Sequence, residues 1–264
     1  MDAAATSPIP KRDWPRAWRA LRTLIADSQR TDQVFEIIEA LAGDSFDRCH
    51  AAFAAHPDGT RLLRDKPSLI ALLSDGEALR RLPEGSLGRA YVDFMEAGNI
   101  TAEGLVEADE MAARNGSQPV QLDPDRQYFA DRNRDVHDLW HVVTGYGMDE
   151  AGEAANLAFT QAQLPNFGVA LILLAAVAIG PKDPTFTWAR YLLAAWRRGK
   201  RTPLLTVAPW EELLPLPLDD VRRRLGVPPV REFHPDGVIV GNRVRDGSGR
   251  FVWSTPDVAE RRAA

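Results

Sequence analysis

The sequence predicts an all-α protein, a single multi-helix domain that ends in a short hairpin-like tail. Three observations lead there. Apolar residues recur three and four apart along most of the 264-residue chain, the spacing of helices with one buried stripe. The interruptions are helix punctuation, with glycine and proline at the ends of those stripes. Strand-like runs around an Asp-Gly pair appear only near the C-terminus.

Taken in order, helices are expected over residues 14–26 and 33–41. Pro67 and Ser68 open a short helix through Leu73, because proline suits a first helical turn. Residues 82–88, Leu-Pro-Glu-Gly-Ser-Leu-Gly, make a turn that feeds a helix ending near Gly98. Another helix is expected over 103–113, then a polar loop over 115–125 with Gly116 and two prolines. A strong helix is expected over 126–144, ended by Gly145-Tyr146-Gly147. Asp149 or Glu150 begins the next, which runs to about Gln163 and stops at Pro165. An apolar helix continues to Gly180, where Gly-Pro-Lys-Asp-Pro breaks it. Residues 185–198 form a helix closing on Gly199, with Arg197 and Arg198 in a last turn that favours cations. A proline-rich stretch after Pro203 leads to a short helix over 219–225. In the tail, Val238-Ile239-Val240, Asp246-Gly247 and Phe251-Val252-Trp253 suggest a hairpin. The expected division is a helical domain over 1–229 and a tail over 230–264.

Composition narrows the function. Hydrophobic residues make up 45% and charged residues 26%, and the net charge is −5. That is the mix of an ordinary globular protein, with no global attraction to nucleic acid. Cys49 is the one cysteine, which excludes an intramolecular disulfide and a thiolate zinc cage. No apolar run approaches the ~20 residues needed to span a bilayer. Residues 154–181 carry no charge, but Gln161, Gln163, Pro165 and Asn166 split them into two helices. The opening residues have no apolar signal core, and Asp2 and Asp13 flank the Arg-rich start. The expectation is therefore a bacterial-type chain without a targeting peptide, cytoplasmic and peripherally associated with the inner membrane.

The chemistry concentrates in residues 132–141, Arg-Asn-Arg-Asp-Val-His-Asp-Leu-Trp-His. On a continuous helix His137 and His141 lie one turn apart, and Asp138, three before His141, borders the same face. Arg134 and Gly145 share that arc, while Val136, Leu139, Trp140 and Val143 form a separate apolar stripe. Two imidazoles at this spacing can chelate one metal, and further ligands must come from elsewhere in the fold. Glu153, in the first turn of the next helix, is the candidate. Asp138 is either a direct ligand or an orienting group behind a histidine. Each residue also has an ordinary reading, as a satisfied polar side chain, a solvated carboxylate or a first-turn acid. There is no His-Glu-x-x-His, so a zinc protease lacks its general base. Cys49, His50, His56 and His234 have no partner spacing and read as structural or surface residues.

Several ordered motifs resemble the coenzyme Q biosynthesis protein 4 family. Its hallmark is His-Asp-x-x-His, eleven residues, then Glu, matched by His137, Asp138, His141 and Glu153. Arg132, Arg134, Asp135, Gly145 and Gly152 also fit the pattern. So do Leu82-Pro83-x-Gly85-Ser86-x-Gly88-x-x-Tyr91 upstream, and Trp196-x-x-Gly199-Lys200-x-x-Pro203, Trp210-Glu211 and Leu225-Gly226 downstream. The likeness spans about residues 68–227 and leaves the tail outside it.

The resemblance implies an all-helical fold with the metal motif beside an apolar lipid pocket, and a role in ubiquinone biosynthesis. It implies a metal-dependent lyase that removes the ring carboxyl at carbon 1 of a polyprenyl-hydroxybenzoate, where the family is associated with its replacement by hydroxyl. The expected ligands are His137, Asp138, His141 and Glu153, with zinc as the ion and iron or manganese also compatible with two histidines and two carboxylates. Arg134, on the metal arc, is the candidate catalytic cation, and Arg132 is a second candidate for the anionic head group. Phe167, Leu171 and Leu174 are candidates to line a prenyl tunnel, although ordinary core is an equal reading. Arg197, Arg198, Lys200 and Arg201 are either a solvated helix end or a contact to lipid headgroups. Implied partners are the polyprenylated aromatic lipid, other coenzyme Q enzymes and a membrane surface, with a homodimer as one oligomeric option. The alternative function is a non-catalytic lipid-binding scaffold that organises those enzymes.

Overall fold

The protein is described from a computed structural model over residues 11–27, 30, 32–102, 122–179, 188–229, 243–245 and 251–253. Among the described residues the regular structure is helical, apart from one small antiparallel pair, β1 (Arg243–Arg245) with β2 (Phe251–Trp253), in which Val244 pairs with Val252. The expected helix over 103–113 and the turn at Asp246-Gly247 lie outside the described residues.

Two helices open the chain, α1 (Trp14–Ala26) and α2 (Asp32–Ala40). Asp13 caps α1 by accepting from Arg16 N at 2.9 Å. The Asp13 N–H donates to Ala40 O at 2.8 Å, joining the start of α1 to the end of α2. Arg16 bridges the pair to Glu36 and Glu39, at 2.6 and 2.5 Å. Their shared core is Ala17, Ala20, Leu21, Ile37, Ala40 and Leu41.

Helices α3 (Ser45–Ala55), α4 (Pro57–Asp65), α5 (Leu69–Leu73) and α6 (Gly76–Arg80) follow. Only α5 was expected. His56-Pro57 and Gly59 look like breakers, yet Pro57 occupies the first turn of α4, where its missing N–H costs nothing.

The turn at 82–88 leads into α7 (Leu87–Gly98). Its residues are closed against the C-terminal third. Leu87 N donates to Leu216 O and Gly88 N to Leu214 O, both at 2.8 Å, and Leu218 N donates to Gly85 O at 2.9 Å. Gly85 sits at φ 73°, which a side chain would strain.

The expected single helix over 126–144 is two, α8 (Pro124–Asp135) and α9 (His137–Thr144). Val136 between them has ψ −7°, well short of the helical value, and so re-aims the chain just before the first histidine. Arg222, on the last helix α14 (Leu218–Arg224), donates to Val143 O at 3.1 Å and Val142 O at 3.0 Å and so satisfies carbonyls at the end of α9. Before α14 come a 3-10 turn (Leu205–Val207) and α13 (Trp210–Leu213).

Helices α10 (Glu150–Gln163), α11 (Phe167–Ile179) and α12 (Trp188–Arg201) complete the bundle. α10 and α12 approach closely at Gly199, where a Cβ would lie 2.5 Å from Phe159 O. Gln163 bolts that crossing by donating to Gly199 O and Thr202 O and accepting from Leu205 N. α11 is apolar on every side and packs two partly buried faces against different cores. Leu171, Ile172 and Ala175 pack on the α1–α2 core, and Leu173, Ala176 and Val177 pack on the large central core. Its third face, Phe167, Leu174 and Ala178, is exposed, with Leu174 at 68%. Among the described residues no helix is long and apolar enough to cross a membrane.

Candidate metal centre

The start of α9 and the first turn of α10 bring three of the expected metal-binding residues together. His137, His141 and Glu153 each present a ligand atom, and these lie within 4.8 Å of one another. The chain folds back sharply to do this. Gly145 ends α9 at φ 78°, and its N–H donates to His141 O at 2.8 Å. Asp149 then caps α10 by accepting from Ala151 N and Gly152 N, both at 3.0 Å. Gly152 is the contact point, since a Cβ there would meet Gly147 O at 2.1 Å. Only glycine lets the turn that carries Glu153 close on the loop from α9.

His141 forms the floor of the site. It is fully buried, and the Phe94 ring stacks on it at 5.4 Å. Its Nδ1 lies 3.1 Å from Tyr146 O, which only an N–H can satisfy, so the proton sits on Nδ1. Nε2 is then a bare lone pair, buried and without a hydrogen-bond partner, 3.4 Å from Glu153 Oε2. Two ligands bound at about 2.0–2.1 Å in a tetrahedron are about 3.3 Å apart. The buried lone pair, the adjacent carboxylate and that spacing fit a divalent ion. The three ligand atoms, spread within 4.8 Å of one another, must draw together by up to about 1.5 Å to close around one.

His137 and Glu153 form the open side, 43% and 47% exposed. Asp138 is largely buried, and its Oδ1 lies 3.1 Å from His137 Nδ1. That contact orients the ring and leaves Nε2 for a ligand role, so Asp138 stands behind a histidine and outside the clustered triad. Burial works against charge on His137, but the Asp138 hydrogen bond and the nearby Glu153 outweigh it and push its pKa up to about 9. With 43% of the side chain exposed, the opposing desolvation is weaker than an enclosed ring would feel. Burial raises Asp138, and the adjacent charged His137 holds it below its ordinary value.

The two arginines are turned elsewhere. Arg134 donates to Asp135 Oδ1 at 3.1 and 3.0 Å and to Asp131 at 3.2 Å. The bend at Val136 separates it from the histidine face that a straight helix would share. Arg132 is buried and holds Glu211 in a two-pronged ion pair at 2.7 and 3.1 Å, with further bonds to Tyr128, Thr206 O and Ala208 O. It staples α8 to the C-terminal third. Nor do Phe167, Leu171 and Leu174 converge on an enclosed tunnel. Phe167 is 49% exposed beneath the Arg12 guanidinium, Leu174 is outward, and Leu171 packs against α1 and α2. Sequence reasoning missed Phe94 and the Tyr146 carbonyl. Tyr91, in the upstream motif, is one turn from Phe94 and was the available signal.

The chain as a whole is similar to known proteins. The family profile described as coenzyme Q (ubiquinone) biosynthesis protein Coq4 matches residues 17–231. The chain belongs to the Coq4 family. Among curated Coq4 relatives, the ubiquinone biosynthesis protein COQ4, mitochondrial, of Yarrowia lipolytica is 29% identical over 80% of this chain and 78% of its own length. That of Paracoccidioides brasiliensis is 29% identical over 79% of this chain and 71% of its own. A Nostoc punctiforme protein, crystallised under the description of a ubiquinone biosynthesis protein, has the same fold, with TM-score 0.56 and 26% identity over 82% of this chain and 99% of that one. Membership places the chain in ubiquinone biosynthesis. It also corrects the expected location. The relatives are named mitochondrial, which overturns the reading as a bacterial-type cytoplasmic chain on the inner membrane. That reading rested on the composition of the opening residues, which is weak ground for a compartment.

Proposed function

We propose that this Coq4-family chain binds one divalent ion, zinc, through His137, His141 and Glu153 and removes the carboxyl group at ring carbon 1 of a polyprenyl-hydroxybenzoate. The observation that carries the reading is the buried, unpartnered Nε2 of His141 beside the Glu153 carboxylate, in a tautomer fixed for metal binding. Three protein ligands leave a position for substrate, as catalytic zinc sites do, whereas structural sites take four. When bound, the ion supplies Lewis-acid charge for the substrate carboxylate or phenolate and for the negative charge that grows as carbon dioxide leaves.

The chain's own residues have separate tasks. Asp138 aims His137 and holds its Nδ1 proton. The Tyr146 carbonyl does the same for His141. Phe94 covers the buried imidazole and keeps water from that side. In the decarboxylation the bond from ring carbon 1 to the carboxyl carbon breaks. The electron pair stays on the ring and is taken up by a proton. Placing a hydroxyl there needs dioxygen as well, which zinc does not activate. Arg132 and Arg134 are left out, because their guanidiniums serve other partners.

A second reading, a non-catalytic lipid-binding scaffold at a membrane surface, draws on the bare apolar face of α11. Purified protein supplied with a prenylated hydroxybenzoate separates the two. The enzyme releases carbon dioxide, loses that activity to a chelator and regains it with zinc. Glu153→Gln, nearly isosteric, abolishes turnover while the fold persists. Turnover that survives both chelation and Glu153→Gln excludes the metal-dependent reaction.

A further inference from the structure

Behind the metal pocket lies a second buried cluster that the proposed chemistry does not use. Tyr146, Tyr191 and Arg198 are 2%, 2% and 9% exposed. The two phenol rings meet edge-on at 6.5 Å, and the Arg198 guanidinium lies 5.1 Å from the centre of the Tyr146 ring. Arg198 Nε donates to Pro228 O at 2.5 Å, while its Nη1 is buried without a hydrogen-bond partner. No ion pair to a carboxylate holds Arg198 among the described residues. A buried guanidinium in that position is costly unless its placement serves something.

Each member of the cluster leads to a segment that carries a metal-binding group. The Tyr146 carbonyl accepts the Nδ1 proton of His141 at 3.1 Å. The Tyr191 hydroxyl donates to Ala151 O at 3.0 Å, in the first turn of α10, two residues before Glu153. Tyr191 and Arg198 are seven apart on α12 and therefore share a face of it. One helix thus grips the α9 exit through the Tyr146 ring and the α10 entrance through Ala151. Burial holds both phenols neutral, so Tyr191 keeps the proton it donates. We propose that Tyr146, Tyr191 and Arg198 form a brace that sets the separation of His141 and Glu153, with Tyr191 and Arg198 as positioning residues for metal binding. The inference rests on the metal-binding reading above.

The test uses cobalt(II), whose visible absorption reports ligand geometry. Tyr191→Phe removes one hydroxyl and keeps the ring against Tyr146. Cobalt affinity should fall about 10-fold or more, the range for groups that orient ligands from behind. The bound-cobalt spectrum should shift, while the metal-free melting temperature drops by only about 2–4 °C. Arg198→Lys, which keeps the charge but not the planar contact, should weaken binding in the same direction, and it serves if Tyr191→Phe fails to fold. Trp210→Phe is the control. It deletes a buried donor whose acceptor, Leu205 O at 3.2 Å, belongs to neither metal-bearing segment, and it should leave affinity and spectrum unchanged. Wild-type affinity and spectrum in Tyr191→Phe, or an equal loss in Trp210→Phe, overturns the brace. A wild-type protein that takes up no cobalt overturns the metal reading itself, a separate outcome.

Discussion

The pocket between α9 and α10 and the outer face of α11 are built on opposite terms. In the pocket, polar atoms are aimed one by one. His141 is fixed by a carbonyl, His137 by a carboxylate, and the approach of Glu153 by a glycine with no room for a methyl group. On the outer face of α11 little is aimed beyond the Arg12 guanidinium over Phe167. Phe167, Leu174 and Ala178 offer area without a donor or acceptor, beside two faces of the same helix that the fold does bury. Direction is what an ion or a reacting head group requires, and it demands a supporting structure behind each ligand. Removal from water is all an apolar chain or surface requires, and it scales with area alone. The two regions should therefore respond differently to the same size of change.

The largest expected effect is on the directed side. His141→Ala removes the buried ligand, and the two that remain sit on the exposed rim. Metal content should fall from about one ion per chain to near zero by elemental analysis. Equal content in mutant and wild type would remove the triad from consideration. Gly152→Ala comes next. Its methyl would meet Gly147 O at 2.1 Å, so the first turn of α10 must back away and carry Glu153 with it. Overpacking of this kind costs about 1–3 kcal/mol. The metal dissociation constant should rise further than the loss of stability alone explains. An alanine variant that binds metal like wild type would show that the close approach is not what places Glu153.

The undirected side is tested by two neighbouring leucines. Leu173→Arg sets a charge at the edge of the central core, where the leucine is partly buried, and should lower the melting temperature in thermal melts. Leu174→Arg, at a side chain 68% exposed, should change stability by no more than about 0.5 kcal/mol. It should nevertheless weaken retention of a prenylated ligand or apolar surface, measured by native mass spectrometry or vesicle flotation. If Leu174→Arg retains such ligands fully, the third face of α11 is not their site.

A further expectation for the directed side is a pH slope. With its pKa raised to about 9 in the metal-free protein, His137 is protonated at neutral pH, and an entering ion must displace that proton. The sign is that of a raised pKa. The charged His137–Asp138 pair stabilises the metal-free fold fully below the ordinary histidine value, and this contribution is lost as pH rises through about 9. Metal affinity should climb about tenfold per pH unit towards about 9 and then level off, because one proton competes for one ligand. A flat profile from pH 7 to 9 in a competition titration would place the His137 pKa lower.

Much of the pocket was legible in the sequence because its ligands follow one another along the chain. Spacing alone puts His137 and His141 one turn apart, and Gly145 with Asp149 marks the reversal that returns Glu153. What escaped depends on partners far away. Arg132 reads as a head-group cation until its mate, Glu211, is found 79 residues later. Arg134 reads as a neighbour of the histidines until Val136 bends the helix. No local signal marks Val136, whose β-branched side chain is common in continuous helices. Asp138 could be weighed only as ligand or support, since the choice is one of torsion angles. α11 gave the opposite difficulty. A uniformly apolar helix states that it is buried or membrane-facing, but not that two of its faces are buried by different cores and a third by neither.

The stitching of residues 82–88 to residues 214–218 bears on the order of events during synthesis. The entrance to α7, and with it Phe94 over the metal pocket, is tied by backbone bonds to a segment about 130 residues downstream, and Arg222 closes the end of α9 from 79 and 80 residues beyond the carbonyls it caps. A nascent chain halted at Leu204 already contains His137, His141 and Glu153, yet it lacks the segment that seats α7 and the cation that caps α9. The pocket is accordingly finished only after most of the chain has left the ribosome. On the metal-binding reading proposed above, the two histidines and Glu153 would gain their final spacing, and with it any selectivity among ions, only at the last stage of folding.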